Sequence, residues 1–455
     1  MLELSNKSGA KGLHNSSFFS KSTSPIYRGI AVTLTGENIE LAEQDKICPD
    51  EEVSVLSVAN LSLVTFFVLL GLSMVSPILP EYAESFQVSY TLVGVVISSF
   101  AITRMVLDLP AGILSDIYDK RRIMILGLIL LSASSVLAGI APTYIALVIA
   151  RMIEGAGSAM YVTAATVLLT QICGEEQRGQ YMSLYLGMLL LGSIFGPTFG
   201  GLLTQAYGIS APFFVYAVLT GLAIIPTVVL PDVRSPRDGS SGFQMRDTLN
   251  DIRAVLSNQQ FVLVTFTVFT MFLLRTGVRS TLVPLFASNN LGLDSGTIGL
   301  ILTIGGIATA LTVTPIGRVS DRIGRKIPLA VCIVLTAGTV LWIPSATGFV
   351  SLSVIIAVYG ASVGLSGPSA AFVADVSPQD KLEVSMALYR TIGDFGYAIG
   401  PTLLGFVADQ TAAPVPGASH SGLIGIEPFV LATLILAAAF LGLLKVRDPI
   451  RNKGH

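Results

Sequence analysis

The sequence is short of charged residues, and this shortage excludes most soluble folds. Asp, Glu, Lys and Arg together make up 12% of the 455 residues, whereas hydrophobic residues make up 52%. A soluble domain usually carries about 25% charged residues. The composition therefore predicts a membrane protein before any single segment is considered.

Cysteine and histidine are also scarce. The three cysteines are widely separated and fit neither a disulfide framework nor the spacing of a metal site. Two of the three histidines lie in the terminal tails, and His420 lies in a loop rich in Pro and Gly. No nucleophile–base set and no nucleotide-binding loop is present either. We therefore expect no enzyme, no metal site, no cofactor and no nucleic-acid partner.

In place of charge, the sequence carries long apolar runs. Twelve of them follow the polar first 53 residues, and each is close to the roughly 20 residues that a helix needs to cross about 30 Å of hydrocarbon. Continuous apolar runs of this length predict helices, since a helix satisfies its own backbone in lipid. The predicted spans are 54–79, 90–114, 123–140, 143–171, 181–204, 211–230, 259–286, 296–316, 327–346, 349–373, 384–408 and 426–444.

Lys and Arg are distributed unevenly between the two sides of this layout. Of the 27, 22 lie in the tails and in alternate loops on one side, five lie within the apolar runs, and none lies in the loops on the other side. The positive-inside rule assigns the basic side to the cytoplasm. We therefore expect a multi-pass protein of the cell membrane with both termini cytoplasmic.

The runs form two sets of six around a polar linker. The predicted organisation is a disordered cytoplasmic tail (1–53), an N-terminal six-helix bundle (54–230), a cytoplasmic linker (231–258), a C-terminal six-helix bundle (259–445) and a short tail (446–455). The start of the N-terminal tail is rich in Ser and poor in acids. A transit peptide, and with it an organellar membrane, is the alternative for this segment.

The two halves repeat each other at an offset of 204–205 residues. The matched positions are Gly94 with Gly299, Gly112–Asp116 with Gly317–Asp321, and Gly196–Pro197 with Gly400–Pro401. Both halves therefore run in the same direction, as two bundles related by a pseudo-twofold axis along the membrane normal. This arrangement is typical of transporters that rock two halves about a central site.

A charged motif occurs once in each half, as GILSDIYDKRR and GRVSDRIGRK. Its matching residues are Gly112, Asp116, Lys120 and Arg121 in the first copy and Gly317, Asp321, Arg322, Gly324, Arg325 and Lys326 in the second. The motif resembles the loop signature of the major facilitator superfamily, G-x-x-x-D-(R/K)-x-G-(R/K)-(R/K). In the first copy Ile117 and Asp119 replace a base and a glycine. The resemblance implies an all-α fold, close helix packing at the first glycine and a cytoplasmic charge network.

Three further motifs are similar to those of twelve-helix drug:proton antiporters. The run ARMIEGAGSAM has Arg151 where the fourth-helix motif of proton-coupled members has its proton-relay arginine, and LGLSMVSPILP is similar to the first-helix signature. The run GSIFGPTFGG is similar to the fifth-helix antiporter motif. Its motif residues are Gly192, Gly196, Pro197, Gly200 and Gly201.

Five arginines and three acids lie deep within the predicted helices, where a charge costs roughly 2.5–3.5 kcal/mol. Arg104 and Asp108 lie one turn apart in the second run, and Arg390 and Asp394 do so in the antiparallel eleventh run. The resemblance implies that these two helices meet between the halves. We therefore predict a ladder, Asp108 with Arg390 and Arg104 with Asp394, that closes the cytoplasmic gate and breaks when that gate opens. The alternative is pairing within each helix.

Proton exchange in the membrane requires a group that titrates there. The helices contain no histidine, so Asp394 and Glu154 are the first candidates. Arg275 and Arg279 in the seventh run have no assigned partner. We predict that they face the cavity and favour anionic or amphipathic substrates; the alternative is that Arg279 snorkels to the outer surface.

The predicted function is secondary active transport by alternating access, by a proton-coupled antiporter of the multidrug-efflux kind that exports small organic molecules. Its expected partners are a small-molecule substrate, protons and the lipid bilayer, and we expect a monomer. An uptake symporter or uniporter for a metabolite is the first alternative, and a transporter-like ligand sensor is the second.

Overall fold

The computed structural model describes residues 51–172, 178–231, 245–413 and 422–448. All of them belong to one compact unit. The predicted N-terminal tail up to residue 50, the middle of the linker and residues 449–455 lie outside the described part. The predicted disorder of the N-terminal tail therefore remains a prediction.

The N-terminal half makes six membrane crossings. A short helix follows the first crossing, and the sixth crossing is divided after Leu222. The helices are α1 (Glu51–Val75), α2 (Leu79–Glu84), α3 (Tyr90–Ile117), α4 (Lys120–Gly139), α5 (Tyr144–Ile172), α6 (Arg178–Tyr207), α7 (Ala211–Leu222) and α8 (Ile224–Val228).

The second part of the predicted linker is a helix that leads into the C-terminal half. Asp251 of this helix forms an ion pair with Lys381, with 3.1 Å between Oδ1 and Nζ. Asn258, which follows the helix, caps the next helix with its side chain. The helices are α9 (Met245–Ser257), α10 (Gln259–Leu274), a π-helical turn (Arg275–Leu282), α11 (Val283–Asn289), α12 (Ser295–Ile323), α13 (Lys326–Trp342), α14 (Phe349–Gly364), α15 (Ser369–Val376), α16 (Leu382–Thr411) and α17 (Glu427–Leu444).

The helices account for the twelve predicted crossings, although composition alone identifies eleven. Among the described residues, eleven helical spans are long and apolar enough to cross a membrane. The remaining crossing is α16, which has 30 residues. Its hydropathy is lowered by Arg390, Asp394 and several glycines, and α16 packs against α3 and α10. The all-α membrane fold is therefore confirmed.

The most extensive contacts between the halves are those of α3 with α16 and of α6 with α12. A Cβ built on Gly94 would come closer than 3.0 Å to the carbonyl oxygen of Pro401, and one built on Gly299 equally close to that of Pro197. Only glycine allows this approach of two backbones. Because these four residues are matched positions of the repeat, the interface follows the pseudo-twofold symmetry.

The two ends of the bundle differ in charge. We call one end the basic end, because it carries the Lys and Arg residues of the described loops and includes the first residues of α4, α13 and α16. The opposite end, which we call the acidic end, carries no Lys or Arg among its described residues. Its acids are Glu81, Glu84, Asp294, Asp409 and Glu427.

Candidate functional site

A cavity of about 230 Å³ lies between the two halves, about midway along most of the helices that line it. Helices α1, α3 and α6 of one half and α10, the π-helical turn, α12 and α16 of the other contribute to its wall. Three arginines line it, together with several hydroxyl groups. The hydroxyl-bearing residues are Ser73, Ser76, Ser193, Ser280 and Tyr397.

A second cavity, of about 290 Å³, adjoins the first. The two share Ser193, Arg275 and Arg279 in their walls, so these residues stand where the cavities meet. The rest of the second wall is mostly apolar and includes Leu189 and Val363. The site is thus a chamber with a polar part and an apolar part.

The two shared arginines belong to the π-helical turn, Arg275–Leu282, which interrupts the seventh crossing. Nη2 of Arg279 donates a hydrogen bond to the carbonyl oxygen of Leu302 at 3.1 Å, which holds this side chain across the cavity. Arg275 is exposed, and its guanidinium makes no hydrogen bond or ion pair with the described residues. The snorkelling alternative for Arg279 is therefore wrong, because its guanidinium binds a carbonyl inside the bundle.

A salt bridge joins the halves at the level of the cavity. Nη2 of Arg104 lies 2.7 Å from Oδ1 of Asp394, and the Arg104 guanidinium lies over the ring of Tyr397 at 6.0 Å from its centroid. Asp394 is buried, whereas the Arg104 side chain is one quarter exposed and lines the cavity. The pair therefore joins α3 to α16, as the ladder hypothesis predicts for Arg104 and Asp394.

The other predicted ion pair of the ladder is not formed. No ion pair within 4.0 Å joins Asp108 and Arg390 in the described part of the chain. The two side chains are within electrostatic reach of each other, and Asp108 also faces the hydroxyl of Thr163. The two charges are therefore near each other but not in contact in this conformation.

The second predicted proton-coupling pair lies elsewhere. Arg151 and Glu154 form a buried salt bridge within α5, and the Arg151 guanidinium lies 4.9 Å from the centroid of the Phe100 ring. Neither residue lines the two cavities. The structure therefore separates Glu154, in the interior of the N-terminal half, from Asp394, at the interface between the halves.

The antiporter motif is a packing surface of α6. Its first three glycines approach the backbone of α1, and Gly201 approaches the backbone of α12 at Ser295. A Cβ on any of them would lie closer than 3.0 Å to main-chain atoms, so side chains are excluded. The α1 residues concerned are Phe66, Leu70 and Met74, opposite Gly192, Gly196 and Gly200.

At the acidic end, a carboxylate of one half caps a helix of the other. The residue before α3, Ser89, provides no side-chain cap. Instead Asp409 of α16 accepts hydrogen bonds from the backbone N–H groups of Tyr90 at 2.7 Å and Thr91 at 2.8 Å, and from the Thr91 hydroxyl. The first N–H groups of a helix lack partners within it, so this carboxylate satisfies α3 in place of a local cap.

Further polar contacts hold the acidic end closed. They are Ser295 with Glu81 at 2.6 Å, Asn289 with Glu84 at 3.0 Å, Asn289 with the Tyr90 hydroxyl at 3.0 Å, and the Tyr90 hydroxyl with the carbonyl oxygen of Gly422 at 2.5 Å. Within the described ranges, every hydrogen bond or ion pair between the halves lies at the Arg104–Asp394 level or nearer the acidic end.

At the basic end, the described contacts of the first loop motif lie within its own half. Nη1 of Arg121 donates to the carbonyl oxygen of Val228 at 3.0 Å. Asp119 caps α4 by accepting from the Arg121 backbone N–H at 2.9 Å, and Lys120 is buried. This cap explains why an aspartate replaces the glycine of the family signature. The side chain of Asp116 lies outside the described residues.

The second motif makes the corresponding contacts with different residues. Nζ of Lys326 donates to the carbonyl oxygens of Leu444 at 2.8 Å and Val446 at 2.7 Å. Asp448 accepts from the Lys326 backbone N–H at 3.0 Å and so takes the role that Asp119 has in the first copy. Gly324 has φ +92°, which favours glycine, and a side chain there would collide with Asp448.

The remaining motif residues either form ion pairs, are exposed, or have free space around them. Arg325 pairs with Asp375 at 2.5 Å and with Asp321 at 3.8 Å, while Arg322 is exposed. A Cβ on Gly317 would meet nothing within 4 Å, and one on Gly112 would meet only Thr163 of its own half. The close packing expected at these two glycines is therefore absent in this conformation.

Tyr397 and Asp409 are among the residues of the site that were not predicted from the sequence. Tyr397 lies one turn after Asp394, so it falls on the same face of α16, and this spacing is a signal for it. Asp409 is an acid at the end of an apolar run, without a basic partner nearby in sequence. Among the described residues, no group of three or more His, Cys, Asp or Glu side chains could hold a metal ion.

Comparison with known proteins gives relatives for both sequence and fold. "Uncharacterized MFS-type transporter MJ1560" of Methanocaldococcus jannaschii is 26% identical over 357 residues, which cover 76% of this chain and 90% of that protein. "Multidrug resistance protein 2" of Bacillus subtilis is 21% identical over 350 residues, which cover 76% of this chain and 86% of the relative.

A solved structure shares the fold. A bacterial homologue of the human lysosomal transporter Spinster, in an inward-facing and occupied conformation, matches with a TM-score of 0.69 and 14% identity over 87% of this chain and 97% of the other. The sequence model described as "Major Facilitator Superfamily" matches residues 61–282 and 264–454, which include both halves. The chain therefore belongs to the Major Facilitator Superfamily.

Proposed function

We propose that this transporter is a proton-coupled antiporter that exports small organic molecules by alternating access. The observation that carries the proposal is the cavity between two repeated halves, which contacts between the halves close at the acidic end. Two halves that rock about a central site are the usual basis of secondary transport. The relative named as a multidrug resistance protein supports organic molecules as the cargo.

In this proposal the basic end faces the cytoplasm, both termini are cytoplasmic, and the membrane is the cell membrane. The positive-inside rule supports this orientation, because the loops of the acidic end lack Lys and Arg. The conformation is then inward-facing: the substrate enters from the basic end, and the acidic end is the closed outer gate.

The outer gate opens when α3 separates from Asp409 and the neighbouring hydrogen bonds at Glu81 and Glu84 break. Each contact is small, since a helix cap contributes about 1 kcal/mol and a hydrogen bond about 1 kcal/mol. A few such contacts hold the end closed but allow it to open reversibly.

The inner gate closes when Asp108 and Arg390 form their ion pair. They lie one turn nearer the basic end than Arg104 and Asp394 on the same two antiparallel helices, so an approach of the halves at that end joins them. This proposal revises the ladder hypothesis. We expected both ion pairs of the ladder to be broken in an inward-facing state, whereas the Arg104–Asp394 pair is formed here.

Asp394 is the proton carrier in this scheme. Its carboxylate joins the halves, and its partner Arg104 lines the cavity, so protonation of Asp394 weakens the joint and frees a cavity arginine at the same time. A buried charge without a partner is unfavourable, which couples the proton to the position of the halves. Glu154 lacks this coupling, because its salt bridge lies within one helix.

The test is transport of a panel of organic compounds by the purified protein in inside-out vesicles with an imposed pH gradient. We expect compounds to accumulate only when the lumen is acidic, and Asp394→Asn to abolish this accumulation while exchange without a gradient persists. Accumulation driven by the opposite gradient would replace the antiporter with an uptake symporter. A wild type that ignores the gradient, or a variant that responds fully to it, would contradict the proposal.

A further inference from the structure

The membrane-embedded charges do not balance, and the excess lies in the cavity. Of the five arginines, Arg104 and Arg151 have carboxylate partners, and Arg390 is within electrostatic reach of Asp108. Arg275 and Arg279 have no acidic partner among the described residues. A charge within the membrane is costly and is retained for a function.

The two arginines form one cationic site. They lie four residues apart in the π-helical turn, line both cavities and are within electrostatic reach of each other. Arg279 spends one donor on Leu302, and its remaining donors and those of Arg275 are available to a ligand. Two adjacent guanidinium groups repel each other, and an anion between them removes that repulsion.

The surroundings complete a site for an anionic head group. Ser193, Ser280 and Tyr397 present hydroxyl groups on the polar side of the chamber. No Asp or Glu lines either cavity among the described residues, so no protein carboxylate competes for the two arginines or attracts a cation. Guanidinium groups bind oxyanions through paired, charge-assisted hydrogen bonds.

The second cavity provides room for an apolar body. Its wall contains Leu189, Ile194, Val313 and Val363, and Arg275 and Arg279 stand at its border with the polar cavity. A ligand with its charged group at the arginines and its carbon skeleton in this cavity would bury both parts in matching surroundings. A compact inorganic anion would leave the apolar cavity unfilled.

We propose that the cargo is an amphipathic organic oxyanion, with a carboxylate or phosphate head bound by Arg275 and Arg279. This inference rests on the proposed function only for the statement that the ligand is transported. The cavity selects against lipophilic cations, because two arginines without acidic partners repel them. Arg275 is the first contact, since it is exposed, and Arg279 is the fixed one.

The experiment measures binding to the purified full chain in lipid nanodiscs, with four probes that share a naphthalene ring: 2-naphthoate, 2-naphthyl phosphate, a 2-naphthylmethylammonium salt and neutral 2-naphthylmethanol. We expect at least one anionic probe to bind at least tenfold more tightly than the ammonium probe. The double variant Arg275→Gln with Arg279→Gln should lose at least tenfold in that affinity, while the double Lys variant should retain most of it.

Arg253→Gln is the matched control, since Arg253 is an exposed arginine of α9 outside both cavities. It should leave binding unchanged. The Lys variant keeps the test valid where the Gln variant does not fold. Binding of the ammonium probe that equals or exceeds that of both anions, no binding of either anion, or anion binding that survives the double Gln change would overturn the inference.

The outcome is distinguishable from failure of the proposed function. Anion binding that depends on both arginines, without pH-driven transport in vesicles, would sustain the oxyanion site and contradict the antiporter. pH-driven export of the ammonium probe with no response to the arginine variants would sustain the antiporter and contradict the oxyanion site.

Discussion

The two ends of the bundle are held in different ways. At the acidic end, contacts join one half to the other, with Asp409 of α16 as the cap of α3. At the basic end, the described motif contacts remain within a half: Arg121 binds Val228, and Lys326 binds Leu444. The repeated motif therefore joins helices within each half, whereas the acidic-end contacts join one half to the other.

The largest effect should come from removing the close approach at the acidic end. Gly94→Leu places a side chain against the backbone of Pro401, which cannot yield as a side chain does. We expect the acidic end to stay open, transport to fall at least tenfold, and cysteines introduced there in a cysteine-free background to label faster. Gly338→Leu is the control, because a Cβ at Gly338 would meet nothing within 4 Å.

A leucine at the basic end should have the opposite effect on labelling. Gly317→Leu fits this conformation, since nothing lies within 4 Å of its Cβ, but it should obstruct closure of the basic end. Transport should again fall, with slower labelling at the acidic end. Equal labelling in the two variants would contradict the view that the two ends close alternately.

A smaller effect is expected from changes to the Asp108–Arg390 pair. Asp108→Arg and Arg390→Asp each leave like charges facing each other when the basic end closes, so each should lower transport about tenfold, on the scale of 1.4 kcal/mol. The double variant should recover transport to within a few-fold of wild type. Asp108→Arg combined with Arg253→Asp is the control pair and should show no recovery, because Arg253 lies on α9. Failure of the charge swap would remove the inner-gate role.

The smallest effect concerns the helix caps. Asp409→Ala removes a cap that joins the halves and should shift the population toward the outward-open state about fivefold, as expected for about 1 kcal/mol. Asp294→Ala removes the cap of α12, which accepts from the Thr297 N–H in its own half. It should lower thermal stability by a similar free energy without shifting the population. An equal population shift in both variants would mean that the caps stabilise helices only.

The Asp294 cap, which serves as the control, stabilises α12 only over a defined pH range. Hydrogen bonds from Thr297 lower the pKa of Asp294 below its usual 3.8. This cap therefore contributes fully above the ordinary pKa, and its contribution is lost as the pH falls through the lowered value. Measurements at neutral pH therefore examine the Asp294 cap in its charged form.

The sequence allowed the helices and the repeat to be predicted, because lipid requires long, self-satisfied apolar helices and a duplicated chain keeps its motifs in register. The antiparallel order of Arg104 and Asp394 also predicted the partner that the structure gives them. The Asp108–Arg390 contact was predicted in the same way but depends on how far the halves have separated, which the local sequence does not record.

Other features depend on contacts between distant segments. The π-helical turn at Arg275–Leu282 interrupts what looks like one regular apolar run. Asp448, which is distant in sequence, caps α13, whereas Asp119 caps α4 from the position just before that helix. In both cases a carboxylate accepts a hydrogen bond from a backbone N–H group in the first turn of the helix. A single sequence shows the residues of both caps but not the fold that brings Asp448 back to α13.

The most direct test of alternating access is a pair of spin-label distances in one protein, one across each end. Labels at Tyr118 and Ile323 report on the basic end, and labels at Tyr207 and Ala413 on the acidic end; all four residues are exposed. We expect that Asp394→Asn, which mimics protonation, shortens the basic-end distance and lengthens the acidic-end distance. Two distances that change in the same direction, or neither changing, would contradict it.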